Sequence, residues 1–144
     1  MGSTSGDAAE AASQRPRGDF SAAVYGQITL GVVAIAFGVP PDEILSPSRR
    51  AHIAFARQTA MYLLHTVFRM NQSRVGRTLG RDRTTASYAC RVVEDARENP
   101  AIDGLIGACE ASLGSLPGLV WQGDPPTKTR QTVAANAELS DDAL

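Results

Sequence analysis

The sequence is poor in several things, and each shortage closes off a class of protein. Aromatic residues make up only 6% of it. No stretch shows the alternation of half-buried strands, so an all-β fold is set aside. Its two cysteines, Cys90 and Cys109, are too few for a disulfide framework or a cysteine-built metal site. Both fall at apolar helical positions, where a small buried thiol is the expectation, and this usage fits a reducing cytoplasm. The two histidines, His52 and His65, stand thirteen residues apart with no acidic partner at ligand spacing, so no metal is expected. There is no GxxxxGK[ST] phosphate loop, no G-x-S-x-G elbow and no suggestion of a Ser/His/Asp arrangement. Neither an enzyme nor a nucleotide- or cofactor-binding protein is therefore expected. No apolar run reaches about 20 residues, so no membrane span is expected. The opening "MGSTSGDAAEAASQRPRGD" lacks the apolar core of a secretory signal. "MGSTSG" comes near the myristoylation pattern, but nothing else points to a membrane.

What is present is charge, unevenly placed. The chain has 144 residues, which suits a single domain. Its apolar fraction of 43% suits one modest core. The formal charge is only −1, but that value hides three blocks. Residues 1–45 carry −3 and residues 92–144 carry −6. Between them, residues 46–91 hold nine arginines against Asp82 alone, a net +8. Every cation in that middle is arginine, the better residue for two-pronged contacts to phosphate and to guanine edges. A basic stripe within a helical domain is the electrostatic footprint of nucleic-acid binding. A solvated charged face normally mixes both signs, and this block does not.

Alanine is frequent, which favours helix. Residues 1–18 are rich in Gly, Ser and Ala without periodicity and read as a disordered arm. Asp19 is a good N-cap for a helix to about Phe37, with Val24, Ile28, Val32, Ile35 and Phe37 at helical spacing and Gly38 as its stop. "VPPDEILS" reads as one proline-started turn, and "SPSRRA" as a connecting loop. A longer helix is predicted from Ser48 or Arg49 to Arg69, its stripe formed by Ile53, Ala56, Ala60, Leu63, Leu64 and Val67. A short helix over 72–79 buries Val75 and Leu79. Gly80 is free to take positive φ in a tight turn. Asp82 then caps a helix over 83–98 whose Ala86, Ala89, Cys90 and Val93 face the core. Asn99 and Pro100 open a last helix to about Leu113, ended by Gly114. Residues 115–144 read as a flexible acidic tail. Within it, "LPGLVWQ" is expected to fold Leu119–Trp121 back onto the body, the alternative being a short docking motif. The expectation is an all-α domain of five or six helices over 19–114.

A short helix, a glycine turn and a second helix opening on polar and basic groups make the helix-turn-helix pattern. Its second helix lies in the major groove with its first turn at base edges. Asp82, Arg83, Thr84 and Tyr88 (or Ser87) occupy that half. Arginine pairs with guanine O6 and N7, aspartate accepts from the cytosine amino group, and a threonine methyl meets the thymine methyl. Asp82 serves as cap, as base reader, or as both. Arg81 and Arg91 are read as phosphate contacts, and Arg74 and Arg77 join the DNA-binding set from the first helix of the pair.

The surrounding residues are more specific. "ARQTAMYLLHTV…SRVGRTLGRDRTTASYACRVVE" resembles the C-terminal DNA-binding domain of the bacterial chromosomal replication initiator DnaA. Arg57, Gln58, Ala60, Met61, Tyr62 and Leu63 match the arginine-glutamine pair and "AMYL". Val75, Gly76, Leu79 and Gly80 match "IG..FG"; Arg81, Asp82, Thr84 and Thr85 match "RDHTT". The resemblance covers about residues 28–113. It implies that Arg57 reaches into an A·T-rich minor groove, that Asp82, Arg83, Thr84 and Thr85 read the major groove, and that Arg49 and Arg50 form a basic loop touching phosphates. Two departures fall on the readout surface: Arg83 and Tyr88 stand where the family has histidines. The turn is also one residue shorter than in many members.

The resemblance further implies double-stranded DNA as partner at DnaA-box-like sites, with influence on replication initiation through sites shared with DnaA. Transcriptional regulation is the neighbouring reading. The rival from another class is a protein-interaction module that descends from the DNA-binding domain but no longer reads DNA. Because only about 27 residues precede the match, a stand-alone domain without the ATPase module is expected, acting as a monomer in the cytoplasm at the nucleoid.

Overall fold

The computed structural model describes residues 4–119 and 121–127, with side chains from Phe20 onward. Six α-helices follow in order: α1 (Thr4–Phe37), α2 (Pro41–Leu45), α3 (Ala51–Thr66), α4 (Gln72–Thr78), α5 (Arg83–Ala96) and α6 (Pro100–Gly114). A 3₁₀ turn, Leu116–Gly118, closes the described fold. There is no strand among the described residues, so the fold is all-α, as the sequence predicts.

Helix α3 is the hub, packing against α1, α2, α4, α5 and α6. The reason is compositional. Ala56, Ala60, Met61, Leu63 and Leu64 are fully buried and Ile53 and Tyr62 nearly so, leaving α3 little solvent face. Small alanines let neighbours close in, while the larger residues fill the gaps. The few aromatic residues concentrate at the seam of α1 and α3. Tyr25 stacks on Phe68 with ring centroids 4.1 Å apart, and Phe37 meets Phe55 edge-on at 5.6 Å. His52 Nε2 donates to the Phe37 carbonyl at 2.7 Å, closing the end of α1. That bond ties α3 to α1.

Local chemistry sets most helix ends as expected. Gly38 adopts φ 65°, and the Val39 N–H returns to the Ala34 carbonyl at 3.1 Å, which stops α1. Pro41 stands in the first turn of α2. Asn99 Oδ1 accepts from the amides of Ala101 and Ile102, with Pro100 at the start of α6. Both cysteines are free and buried.

Four expectations need correction. Helix α1 begins at Thr4, so Asp19 is interior to it rather than its cap. Asp19 has the chemistry of a cap, but a cap-forming residue is also tolerated inside a helix. The buried face of α1 is Gly26, Thr29, Leu30 and Val33, while Ile35 is 86% exposed. Apolar residues surround this helix, so spacing alone does not choose a face. The same richness makes Phe20–Phe37, at mean hydropathy 1.7, long and apolar enough to cross a membrane by length and composition. In this fold the stretch packs against α3 and α6. Helix α3 spans Ala51–Thr66, shorter at both ends than predicted. Arg69 follows it with φ 55°, a left-handed backbone that the helical pattern of "LLHTVF" conceals. Finally, Leu119 and Trp121 are 77% and 72% exposed, not folded back; among the described residues of this segment Leu116 alone packs against the core. The tail beyond Thr127 lies outside the described residues.

The end of α5 is fastened by a cluster the sequence did not reveal. Arg97 pairs with Asp103 at 2.6 Å and with Glu110, both on α6, and donates to Tyr62 Oη of α3 at 3.1 Å. These hydrogen bonds, that to Asp103 foremost, raise the Arg97 pKa above its ordinary value. Arg97→Ala is expected to destabilise the fold by about 1 kcal/mol in chemical denaturation. Glu110→Gln should add little to it, since both act through one guanidinium.

Candidate nucleic-acid interface

The turn between α4 and α5 is built on two glycines. Gly80 sits at φ 70° just past α4. Its N–H bonds the Arg77 carbonyl at 3.3 Å, and the Arg81 N–H bonds the Gly76 carbonyl at 2.7 Å. These are the two bonds of a Schellman stop. Gly76 lies beneath the turn: a Cβ there would stand 2.7 Å from the carbonyl oxygens of both Arg81 and Asp82. Only a residue without a side chain lets the incoming chain cross α4 this closely. Asp82 then caps α5, its Oδ1 accepting from the Thr85 amide at 2.7 Å. That bond holds its carboxyl below its ordinary pKa.

Helix α5 divides cleanly. Ala86, Ala89, Cys90 and Val93 are buried against α3 and α4. The other side presents Arg83, Thr84, Thr85, Tyr88 and Arg91 to solvent, with Ser87 half-buried. Six of these residues, with Gln72 of α4, line an open groove of about 550 Å³ along the N-terminal half of α5. Tyr88 is 59% exposed, a large ring held off the core by its helical position. No acidic side chain lines this groove.

Beside it lies the loop between α2 and α3. Arg57 Nε donates to the Ile44 carbonyl at 2.7 Å, and its Nη2 to the carbonyls of Ser46 and Ser48. Arg81 Nη2 reaches the carbonyls of Leu45 and Ser46 at 3.2 and 2.9 Å. Burial, then the nearby Arg81 charge, lowers the Arg57 pKa. Arg49 and Arg50 stand exposed at the loop's far end. Arg49, Arg57, Arg81 and Thr85 share the lining of a second concavity of about 490 Å³. It joins the loop to the start of α5.

A short helix, a Schellman turn and a capped second helix whose N-terminal half lines its groove with no acidic side chain make a helix-turn-helix poised for a groove. Comparison with known proteins agrees. Residues 28–93 match the family model described as the bacterial DnaA protein helix-turn-helix. This segment is a DnaA-type, DNA-binding helix-turn-helix domain. The chromosomal replication initiator DnaA of Thermus thermophilus is 34% identical over 76 residues, 51% of this chain and 17% of that protein. The same initiator from Lachnoclostridium phytofermentans is 29% identical over 92 residues, 62% of this chain and 20% of that protein. A crystal structure of a DNA replication initiation factor superposes with a TM-score of 0.63 at 27% identity, covering 69% of this chain and 31% of that one. The chain thus spans a fifth or less of the length of these DnaA relatives.

The DnaA-type domain gathers most of the sequence-predicted site residues. Arg83, Thr84, Thr85, Ser87, Tyr88 and Arg91 share one groove; Arg49 lines the adjoining concavity that also contains Thr85, and Arg50 is exposed next to it in the chain. Arg57 and Arg81 are engaged with loop carbonyls, and Asp82 with its own helix. Arg74 and Arg77 are not brought to this face. They line a separate groove between α1 and α4 with Ala22, Gly26, Leu30 and Leu45. The sequence reading missed Gln72, whose place in the groove comes from the α4–α5 crossing and has no local signal. Among the described residues no group of three His, Cys, Asp or Glu could hold a metal ion.

Gly76→Ala is expected to cost about 1–3 kcal/mol, because its Cβ meets backbone that cannot rotate away. Gly80→Ala, with open space around it but positive φ, should cost about 1–2 kcal/mol. The Asp82 carboxyl, lowered in the folded state, contributes stability that is present above the ordinary carboxylate range near about 4 and lost as pH falls through its lowered value. Asp82→Asn, which keeps a capping oxygen, should flatten that acid limb in pH-dependent denaturation.

Proposed function

We propose that this DnaA-type domain binds duplex DNA with the N-terminal half of α5 in the major groove, reading sites related to DnaA boxes. The observation that carries the reading is the outer face of α5: Arg83, Thr84, Tyr88 and Arg91 exposed together along one groove that no carboxylate lines. An arginine and a threonine in the first turn suit guanine acceptors and a thymine methyl. Arg49 and Arg50, exposed beside it, suit phosphates and fix register without reading sequence. Arg83 and Tyr88 change the donors offered to the bases, so the preferred site differs from the box that the two histidines would read. Binding there as a monomer, the domain competes or cooperates with the initiator at shared sites and so regulates replication initiation or transcription.

One feature favours a second role beside this one. The exposed Leu119 and Trp121 of "LPGLVWQ" suit a docking motif for a protein partner. In that case Trp121→Ala leaves DNA affinity unchanged while removing the partner from a pull-down.

Binding to labelled duplexes, with site selection from a random library, tests the main reading. Affinity should fall with salt at a slope of about −0.9 per phosphate contacted. Arg83→Ala should cost about 1–3 kcal/mol on the selected site and relax its sequence preference. Arg49→Ala should weaken all sequences alike. Absence of salt-dependent duplex binding by the folded protein would refute the proposal.

A further inference from the structure

The basic surface has little counter-charge of its own. Arg83 and Arg91 line the α5 groove, Arg49, Arg57 and Arg81 line the adjoining concavity, and no acidic side chain lines either. Asp82, the sole acid of residues 46–91, caps α5 through the Thr85 amide. At the far end of α5, Arg97 holds Asp103 and Glu110; Arg49, Arg50, Arg83 and Arg91 have no such partner among the described residues. The exposed acids of α5, Glu94 and Asp95, begin past Arg91. Like charges gathered this way repel one another and draw in any polyanion within reach. The chain carries one. Residues 131–144, "QTVAANAELSDDAL", hold Glu138, Asp141 and Asp142 and no lysine or arginine. They lie outside the described residues, but the stretch leading to them leaves the body early: residues 117–119 and 121–127 are all exposed. Glu138 follows Leu119 by 19 residues, a tether of up to about 60 Å on a domain roughly 30 Å across. Every face of the domain is within that reach, so charge selects among them. The α5 groove and its concavity together bring five arginines, the α1–α4 groove two over an apolar floor.

We propose that the acidic segment 138–142 of this same chain docks across the N-terminal half of α5 and the adjoining concavity, where it competes with DNA. The inference rests on the DNA-binding reading above and names a regulator of that surface. Carboxylates accept the same charge-assisted bonds from guanidinium groups as phosphates do. Tethering makes the encounter intramolecular, at an effective concentration on the order of millimolar. Three solvent-screened charges bind weakly, so docked and open forms exchange and both are populated. Glu94 and Asp95 repel the segment from the C-terminal half of α5, which confines it to the half that faces DNA. Only the open form binds a duplex, and apparent affinity is reduced by the open fraction for every sequence alike. The tail thus sets the strength of binding and leaves the choice of site to α5.

The full chain carrying Glu138→Gln/Asp141→Asn/Asp142→Asn tests this on labelled duplexes. Its affinity should exceed that of the wild type about three- to tenfold at roughly 50 mM salt and less than about twofold at roughly 300 mM. The gain should be the same on the selected site and on random sequence. Unchanged affinity at low salt, or a gain confined to one of the two sequences, would overturn the proposal. A second readout needs no DNA. Cys90 and Cys109 are buried, so Ser140→Cys takes a nitroxide label at the tail. In the free protein the label should broaden the amide signals of Arg83, Thr84, Tyr88 and Arg91, and the three neutralising changes should restore them. Broadening centred on Arg77 and Thr78, or spread evenly over the surface, would refute the docking. Wild-type and neutralised protein that both lack salt-dependent duplex binding would instead sink the DNA-binding reading, leaving the label to judge the docking alone.

Discussion

Everything at the interface depends on how closely the backbone of Arg81 and Asp82 crosses Gly76. The absence of a side chain there lets the turn lie on α4, and the turn's own hydrogen bonds fix where the next helix starts. From that point Asp82 caps α5, and the helical period does the rest. Ala86, Ala89, Cys90 and Val93 fall inward onto α3, and Arg83, Thr84, Tyr88 and Arg91 must therefore fall outward. A bulkier residue at 76 would not touch the exposed face. It would tilt the whole helix and with it every group aimed at a ligand.

The one-signed middle of the chain is not one patch. Its nine arginines divide by what surrounds them. Those on α5 and at the loop's end are exposed to solvent. Arg57 and Arg81 are held by backbone carbonyls. Arg74 and Arg77 lie on the α1 side of α4. Arg69 occupies a left-handed linker position. Net charge by segment identifies a basic domain, but only the fold tells which charges a ligand can meet. The acids gathered after α5 are likewise partly structural, since Asp103 and Glu110 hold Arg97.

What could be read in the sequence was local. Gly38, Gly80, Asp82, Asn99 and Pro41 act through their own backbone chemistry, so their roles as stops, caps and starts were visible without a fold. The inward face of α5 was equally plain because polar and small residues alternate there at helical spacing. The family resemblance located the helix-turn-helix itself. The buried face of α1 was not legible, since Ile28, Val32, Val33 and Ile35 offer apolar surface all round. The hydrogen bonds of Arg57 and Arg81 to Ser46 were hidden because their acceptor is a carbonyl, which every residue carries. The exposure of Trp121 could not be foreseen, because a lone tryptophan after a helix usually seeks the core. In each case the missing information is tertiary: which neighbour arrives, and at what distance.

The central claim is that the outer face of α5 and the loop beside it form the DNA-contacting surface. Amide chemical-shift mapping of the protein titrated with duplex DNA tests this most directly. The account predicts that the largest changes run from Arg83 to Arg91 and over Ser48–Arg50, while the α1–α4 groove around Gly26 and Thr78 stays silent. Changes centred on that groove, or on Leu116–Trp121, with α5 unperturbed would contradict it.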